Sequence, residues 1–139
     1  MKDKKNQNLI SLTYKIGEVA DDYLTISSYS DTFVKIQNTK FLLPICIIGN
    51  DIFQWKDKNY LNISVEKLKE IFIESKVFIN GEPEIILLGL TKGKISNMLD
   101  LKKKSMAEKL PFEIMKHDAA CRTINILTME GRKIIAILI

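Results

Sequence analysis

The last seven residues, 133–139, are the segment that most constrains how this chain can fold. Their sequence is KIIAILI, with one charge at the start and no polar residue after it. A strand with one face in water alternates apolar and polar side chains, whereas a strand covered on both faces is a continuous apolar run. We therefore predict a β-strand at the centre of a sheet that is covered on both faces. Its removal is expected to abolish folding.

A second continuous apolar run, residues 85–88, predicts another buried strand, which Gly89 is expected to end. A helix is predicted over residues 96–109, where Pro111 blocks its continuation. Residues 112–115 then form a short strand. Because strands alternate with helices in this half of the chain, we predict an α/β fold with parallel or mixed pairing and crossover helices.

The first third of the chain is rich in β-branched and aromatic residues that are separated by polar turns, which is typical of short strands. Four strands are predicted, at residues 23–28, 33–36, 41–48 and 52–55. Gly49-Asn50-Asp51 is expected to close a hairpin between the last two. Ser64 is then expected to cap a helix from Val65 to about Ser75.

The segment between the two apolar runs ends in a helix predicted over residues 119–130. Asp118 is the expected N-cap, and Gly131 is the expected residue just past the end. One stripe is predicted to face the sheet: Ala120, Ile124 and Leu127. Ile126 and Met129 extend this stripe around the helix, so the helix is expected to be mostly internal.

The size of the chain favours one domain. It has 139 residues, of which 46% are hydrophobic, enough for a single compact core. We predict a flexible tail at residues 1–8 and a single domain over residues 9–139. No apolar run approaches the roughly 18 to 20 residues of a membrane span, and the cationic start lacks the apolar core of a secretory signal.

Cysteine usage and charge exclude several classes of protein. Cys46 and Cys121 are far apart and form no CxxC motif, so reduced thiols in a cytoplasm are favoured over a metal knuckle or a redox pair. The net charge of +4 is spread along the chain, and the lysine triplet at residues 102–104 has no aromatic neighbour. Nucleic-acid binding is therefore not predicted. With a single histidine, neither a metal site nor a cofactor is predicted.

Several motifs in the chain resemble those of one small family. They are Ile52 to Trp55, Glu84-Ile85-Ile86-Leu87-Leu88-Gly89, Glu113-Ile114-Met115, Ala119-Ala120-Cys121-Arg122-Thr123, Asn125 and Glu130-Gly131-Arg132. These motifs resemble the Mth-like domain family, which includes mitochondrial respiratory complex I assembly factor 3 and the adipogenesis-associated Mth-domain protein. The resemblance covers most of residues 20–139. It implies a three-layer α/β fold in which a central mixed sheet with crossover helices carries an additional N-terminal β-hairpin layer.

The chain departs from the family pattern at a few positions. Lys116 and His117 stand where the family usually has an acid and then threonine, and Ile124 stands where it has tyrosine. The buried strand is followed by Leu90-Thr91, whereas the family strand commonly ends Gly-x-Gly. A family pocket built on these groups is expected to be altered here.

Cys121 is a candidate nucleophile. It lies near the start of a predicted helix, next to Arg122 and four residues after His117, where a thiolate is stabilised by the positive end of the helix dipole. The alternative is a small core residue, since no oxyanion hole or orienting carboxylate is evident. We favour this alternative.

The chain has only two arginines, Arg122 and Arg132, and they suggest bidentate binding of a carboxylate or phosphate. Alternatively, Arg122 pairs with Asp118 one turn earlier, and Arg132 satisfies carbonyls at the helix end. Asn125 is then an interior amide bonded to a strand end, and His117 is a surface or turn residue.

Two functional hypotheses remain. The favoured one is a non-enzymatic protein-interaction module or respiratory complex I assembly factor, with respiratory-complex subunits or biogenesis factors as partners and self-association left open. The other is a small-molecule or anion-binding protein with thiol chemistry near Cys121 and Arg122. The candidate ligand-binding residues are Gly89, Thr91, His117, Cys121, Arg122 and Asn125.

Overall fold

The computed structural model describes residues 15–20 and 23–139. The predicted tail at residues 1–8 and the domain start at residue 9 lie outside the described residues. Nine strands are described: β1 (Lys15–Glu18), β2 (Ile26–Tyr29), β3 (Phe33–Ile36), β4 (Thr39–Leu42), β5 (Ile45–Ile48), β6 (Asp51–Gln54), β7 (Ile85–Leu90), β8 (Phe112–Lys116) and β9 (Ile134–Leu138). The helices in the same part of the chain are α1 (Val65–Glu74), α2 (Lys76–Ile79), α3 (Leu99–Ala107) and α4 (His117–Met129), with 3₁₀ turns at Tyr60–Asn62 and Ile95–Met98.

Six of these strands form a central mixed sheet in the order β1-β6-β5-β9-β7-β8. β7 pairs in parallel with both β8 and β9, whereas β5 pairs antiparallel with β6 and β9. Every residue of β9 is buried. The predicted central position of this apolar strand is therefore confirmed, as is the mixed sheet.

The sheet is covered on both faces, which gives three layers. One face packs against α1, α2 and α3 through alternate side chains such as Ile135 and Ile137. The other face packs against α4 and a small antiparallel sheet, β2-β3-β4, through Ile134, Ala136 and Leu138. The predicted three-layer α/β class is confirmed, and the additional N-terminal layer is a three-stranded sheet beside α4.

The two crossover helices lie on opposite faces of the sheet. β7 connects to β8 through α3 on one face, and β8 connects to β9 through α4 on the other. The chain therefore leaves the ends of β7 and β8 in opposite directions, which makes this pair of strands a topological switch point.

The strand predicted at residues 23–28 begins three residues later, at Ile26, and two other predicted strand boundaries are also wrong. Residues 41–48 do not form one strand, because Pro44 lacks an amide donor and separates β4 in the small sheet from β5 in the central sheet. Gly89 does not end β7, which continues to Leu90. The Gly49 hairpin and the Ser64 cap are confirmed, since β5 and β6 pair across Gly49 and the Ser64 hydroxyl accepts from the Lys67 amide.

Three helix predictions also need correction. The helix predicted from residue 96 begins at Leu99, after a 3₁₀ turn. Asp118 is not the N-cap of α4; Lys116 occupies that position and Asp118 lies in the first turn. α4 is not mostly internal, because only one stripe meets the sheet, and Ile126 and Met129 on the outer side are 57% and 65% exposed.

Candidate functional site

A cleft of about 560 Å³ opens at the carboxyl ends of β7 and β8. Its walls are residues 29–31 at the end of β2, 90–93 from the last residue of β7 onward, and 116–118 where β8 meets α4. Because the chain leaves β7 and β8 toward opposite faces, the two loops diverge and leave this crevice, which is where open α/β sheets bind ligands. We call it the switch-point cleft.

His117 forms the floor of this cleft and is only 5% exposed. The Tyr29 ring meets the imidazole edge-on, with ring centroids 5.6 Å apart, and the Ser30 backbone lies beside it. Burial lowers the pKa of His117, while the Ser30 backbone and the nearby Asp31 and Asp118 carboxylates oppose that shift. The prediction of a surface or turn residue is wrong, because the small sheet covers this side chain.

The Asp118 carboxylate places a negative charge at the positive end of α4. Its carboxylate accepts a hydrogen bond from the Ala119 amide at 2.9 Å and pairs with Arg122 at 3.6 Å. The Ala119 bond is the main reason that the pKa of Asp118 is lowered, and Arg122 adds to it. The proposed Arg122–Asp118 pair is therefore present. The positive end of this helix already has an anionic neighbour within the chain.

Cys121 lies beneath His117 and is 1% exposed. Its sulfur is 3.9 Å from each imidazole nitrogen, at the limit of a weak contact. Burial raises the pKa of the Cys121 thiol to about 12, Asp118 adds to this rise, and Arg122 only partly opposes it. The thiol is therefore protonated near neutral pH, whereas a nucleophilic cysteine is a thiolate.

Asn125 faces β2 rather than the switch-point cleft. Its side-chain oxygen accepts from the Ile26 amide at 2.8 Å, and its side-chain nitrogen donates to the Ile26 carbonyl at 2.9 Å. One turn later, the Thr128 hydroxyl donates to the Leu24 carbonyl at 2.7 Å. α4 thus binds the outer edge of the small sheet with side chains, as expected for an interior amide bonded to a strand end.

Gly89 brings α4 close to β7. A Cβ atom at this position would lie 2.7 Å from the Ala120 Cβ and 2.8 Å from a Leu138 methyl carbon. Two residues later, Thr91 reaches the cleft wall, and its amide donates to the Ile139 carbonyl at 2.8 Å. Gly89 therefore sets the spacing of the layers, while Thr91 is part of the cleft surface.

Arg132 lies away from the cleft, at the other end of α4. Its guanidinium pairs with Glu130 at 3.1 Å and with Glu84 at 4.0 Å. The prediction that this side chain satisfies helix-end carbonyls is wrong, because two nearby carboxylates pair with the guanidinium instead.

The structure thus brings together some of the candidate residues and separates others. Thr91 and His117 line the switch-point cleft, and the other four candidates lie outside its walls. Sequence reasoning missed Tyr29 and Asp31, which reach the cleft from the small sheet. No local pattern marks them, because their position depends on how two distant segments pack.

A family model described as "Protein of unknown function (DUF498/DUF598)" matches residues 26–139. The chain belongs to this family. No curated protein matches the chain. Within residues 15–20 and 23–139, this DUF498 member has no helix with the length and apolar content that crossing a bilayer requires.

Solved structures share the fold of this DUF498 member. A Bordetella parapertussis protein has a TM-score of 0.62 and 21% identity, covering 87% of this chain and 98% of that one. A Bordetella pertussis protein described as a Mth938-like domain has a TM-score of 0.61 and 19% identity, covering 89% and 90%. A Bartonella henselae protein described as an outer membrane protein has a TM-score of 0.60 and 20% identity, covering 84% and 93%. The chain therefore has the Mth938-like fold, in agreement with the family resemblance.

Proposed function

We propose that this DUF498 member is a non-enzymatic binding protein that recognises a protein partner at the switch-point cleft. The observation that carries the proposal is the cleft itself, where loops from both outer layers meet above the carboxyl ends of parallel strands. This is the place at which α/β folds bind their ligands.

The side chains at the cleft favour binding over catalysis. The Cys121 thiol lies beneath His117 and has a pKa of about 12, so it is not activated. The Ser30 hydroxyl is 3.2 Å from the Thr32 hydroxyl and accepts from the Thr32 amide. His117 meets Ser30 through its backbone, so these two residues are not arranged as a nucleophile and its base.

The surface around the cleft suits a protein better than a small apolar ligand. Lys92, Lys116 and Asp31 are exposed at the walls and offer both signs of charge to a complementary surface. From the cleft, the outer side of α4 continues through Arg122 to the exposed Ile126 and Met129. Together they form a polar recess followed by two exposed apolar side chains on a 13-residue helix that is about 20 Å long.

The resemblance to complex I assembly factor 3 supplies the partner class for this proposal. We propose a cytoplasmic factor that binds respiratory-complex subunits or their biogenesis factors, with a second copy of the chain as the alternative partner.

Affinity capture with charge-reversal variants tests the proposal. A double variant, Lys92→Glu and Lys116→Glu, reverses two cleft charges and is expected to lower the recovery of respiratory-complex or biogenesis proteins by roughly tenfold or more. The matched control reverses Lys103 and Lys104, which are exposed on α3 outside the cleft. Equal recovery with both double variants, or capture of none of these proteins by the wild type, would overturn the proposal.

A small-molecule or anion ligand is the second candidate for the same cleft. The observation in its favour is the cleft volume of about 560 Å³, which lies within the usual range of about 300 to 1,000 Å³ for ligand pockets. Calorimetric titration of the purified chain with inorganic phosphate tests it. Binding that disappears in the Lys92→Glu and Lys116→Glu double variant supports this candidate, and no binding heat excludes phosphate. A role for the thiol requires in addition that Cys121→Ser changes the measured heat.

A further inference from the structure

A second cleft, of about 420 Å³, opens beyond the carboxyl end of β6. It is lined by residues 55–59, 62, 63 and 67, which belong to the loop between β6 and α1 and to the start of α1. Three lysines are among these residues: Lys56, Lys58 and Lys67. We call it the β6 cleft. The partner-binding site proposed above does not include it.

The β6 cleft lies at the same edge of the central sheet as the switch-point cleft. β6, β7 and β8 run in the same direction, because β6 and β9 are both antiparallel to β5, and β7 is parallel to β9 and β8. Phe53, Leu88 and Ile114 of these strands lie in one row of the sheet. Neighbouring strands are about 4.8 Å apart, so the four steps from β6 to β8 cover about 19 Å. The two clefts therefore open side by side along this edge.

A ridge formed by Tyr60 and Gly93 separates the two clefts. Tyr60 lies between the β6-cleft residues Asn59 and Asn62, and Gly93 lines the switch-point cleft. Gly93 is so close to the Tyr60 ring that a Cβ atom has no space there, and Asn97 donates a hydrogen bond to the Tyr60 hydroxyl at 3.1 Å. The loops of the two clefts are thus packed against each other, so one ligand can contact both.

Lysines concentrate along this edge of the sheet. Five of them are exposed and form no ion pair with a carboxylate of residues 15–20 or 23–139: Lys56, Lys58, Lys92, Lys94 and Lys116. On the helices, by contrast, four lysines pair with acidic side chains: Lys69, Lys76, Lys102 and Lys104. The chain therefore leaves the positive charge of this edge uncompensated.

The acidic side chains that line the two clefts do not balance these lysines. They are Asp31, Asp57 and Asp118. The Asp57 carboxylate accepts from the Asn59 amide at 2.9 Å and from the Asn62 side chain at 2.7 Å, and the Asp118 carboxylate pairs with Arg122. The β6 cleft has three lysines and one carboxylate in its lining, so it favours an anionic ligand.

We propose that the partner contributes an extended acidic segment that lies along this edge and occupies both the switch-point cleft and the β6 cleft. This inference rests on the proposed function, because it names the chemistry of the protein bound at the switch-point cleft. Aspartate or glutamate side chains of the segment pair with the unpaired lysines. The span of about 19 Å corresponds to about six residues of extended chain.

The lining of the clefts favours a peptide over a nucleic acid or a bilayer. Proteins bind single-stranded nucleic acid by stacking successive bases on exposed aromatic rings. Trp55 is only 3% exposed and His117 is buried, so Tyr29 is the one exposed ring among the residues that line the clefts. A bilayer presents a flat surface, whereas two recesses separated by a ridge suit a narrow chain with projecting side chains.

Fluorescence anisotropy with a labelled hexaglutamate peptide tests the inference on the purified, full-length chain. We expect binding that weakens as the salt concentration rises. One double variant, Lys56→Glu and Lys58→Glu, reverses charges at the β6 cleft, and a second, Lys92→Glu and Lys116→Glu, reverses charges at the switch-point cleft. Each is expected to lower the affinity by roughly tenfold, because the segment contacts both clefts.

The matched control is the double variant Lys103→Glu and Lys104→Glu on α3, which changes the net charge by the same amount away from both clefts. Its affinity is expected to stay within about twofold of the wild type, since exposed charges more than about 10 Å from the peptide are screened. Circular dichroism of all three variants checks that the substitutions leave the fold intact.

Three results would overturn the inference: no peptide binding to the wild type, equal losses in all three variants, or an unchanged affinity in the Lys56→Glu and Lys58→Glu variant. Oligouridine and phosphatidylserine vesicles are titrated in parallel. If either binds more tightly than hexaglutamate and depends on the same lysines, the edge recognises that class of molecule and not an acidic peptide.

The capture experiment separates this inference from the proposed function. If the Lys92→Glu and Lys116→Glu variant loses the captured partner and the Lys56→Glu and Lys58→Glu variant retains it, the proposed function stands and the acidic segment across both clefts is wrong. If the wild type captures no respiratory-complex or biogenesis protein but binds hexaglutamate through both clefts, the proposed partner is wrong and the acidic-peptide site stands.

Discussion

Asn125 takes the place of a neighbouring strand at the open edge of the small sheet. Its amide is bonded to both the N–H and the C=O of Ile26, in the way that an adjacent strand would bond them. The side chain therefore satisfies two backbone groups that the ladder leaves unpaired. The sequence predicted an interior amide bonded to a strand end, but it could not name Ile26, which lies 99 positions earlier.

Replacing Asn125 with alanine is expected to destabilise the fold by about 1 to 3 kcal/mol, because two half-buried backbone groups lose their partner. The matched control is Asn97→Ala. Asn97 is exposed and donates its side-chain hydrogen bond to the Tyr60 hydroxyl, so a change within about 0.5 kcal/mol is expected there. Urea denaturation of both variants measures the difference. Equal unfolding midpoints for the two variants would contradict the role given to Asn125.

The close packing of α4 on β7 fixes the position of this helix relative to the central sheet. Gly89 lies directly beneath Ala120, and any larger residue at position 89 meets the helix at 2.7 Å. This close approach keeps His117, at the start of the same helix, next to the end of β7. The position of the cleft floor therefore depends on a pair of small residues that do not line the cleft.

Gly89→Ala is expected to cost about 1 to 3 kcal/mol, because the added methyl group overpacks the contact with Ala120 and Leu138. Ala120→Gly alone is expected to cost roughly 1 kcal/mol through helix propensity. If the two positions share one contact, the double variant is more stable than the sum of the single effects predicts. A double-mutant cycle from urea unfolding measures this coupling, and strict additivity would show that the two side chains do not compete for space.

For the whole molecule, the sequence was informative where one local pattern decides the structure. The continuous apolar runs at β7 and β9 predicted buried strands, because such runs have no other stable place in a sheet. The division at Pro44 was missed because the surrounding apolar residues continue on both sides of it. The walls of the cleft were predicted only in part, since Tyr29 and His117 are 88 positions apart and their contact is a product of the assembled layers.

A prediction for the whole molecule concerns the central strand, β9. Ile137 is fully buried in β9, so Ile137→Asp places a charge in the core, at a cost of several kcal/mol against a typical total stability of about 5 to 15 kcal/mol. We expect this variant not to fold, whereas Ile137→Val is expected to fold with a loss of about 0.5 to 1.5 kcal/mol. Circular dichroism and the dispersion of amide resonances distinguish the outcomes. A folded Asp variant of near wild-type stability would show that β9 is not part of the core.

β9 lies between β5 and β7 but follows both of them in the chain. During synthesis, the β5-β6 hairpin and the β7-β8 pair leave the ribosome before the strand that joins them. Each of them then presents an apolar strand edge without a neighbour, the kind of surface that promotes aggregation. The nascent polypeptide is therefore expected to depend on chaperones until the joining strand emerges, and slower translation of the segment before β9 would prolong that exposure.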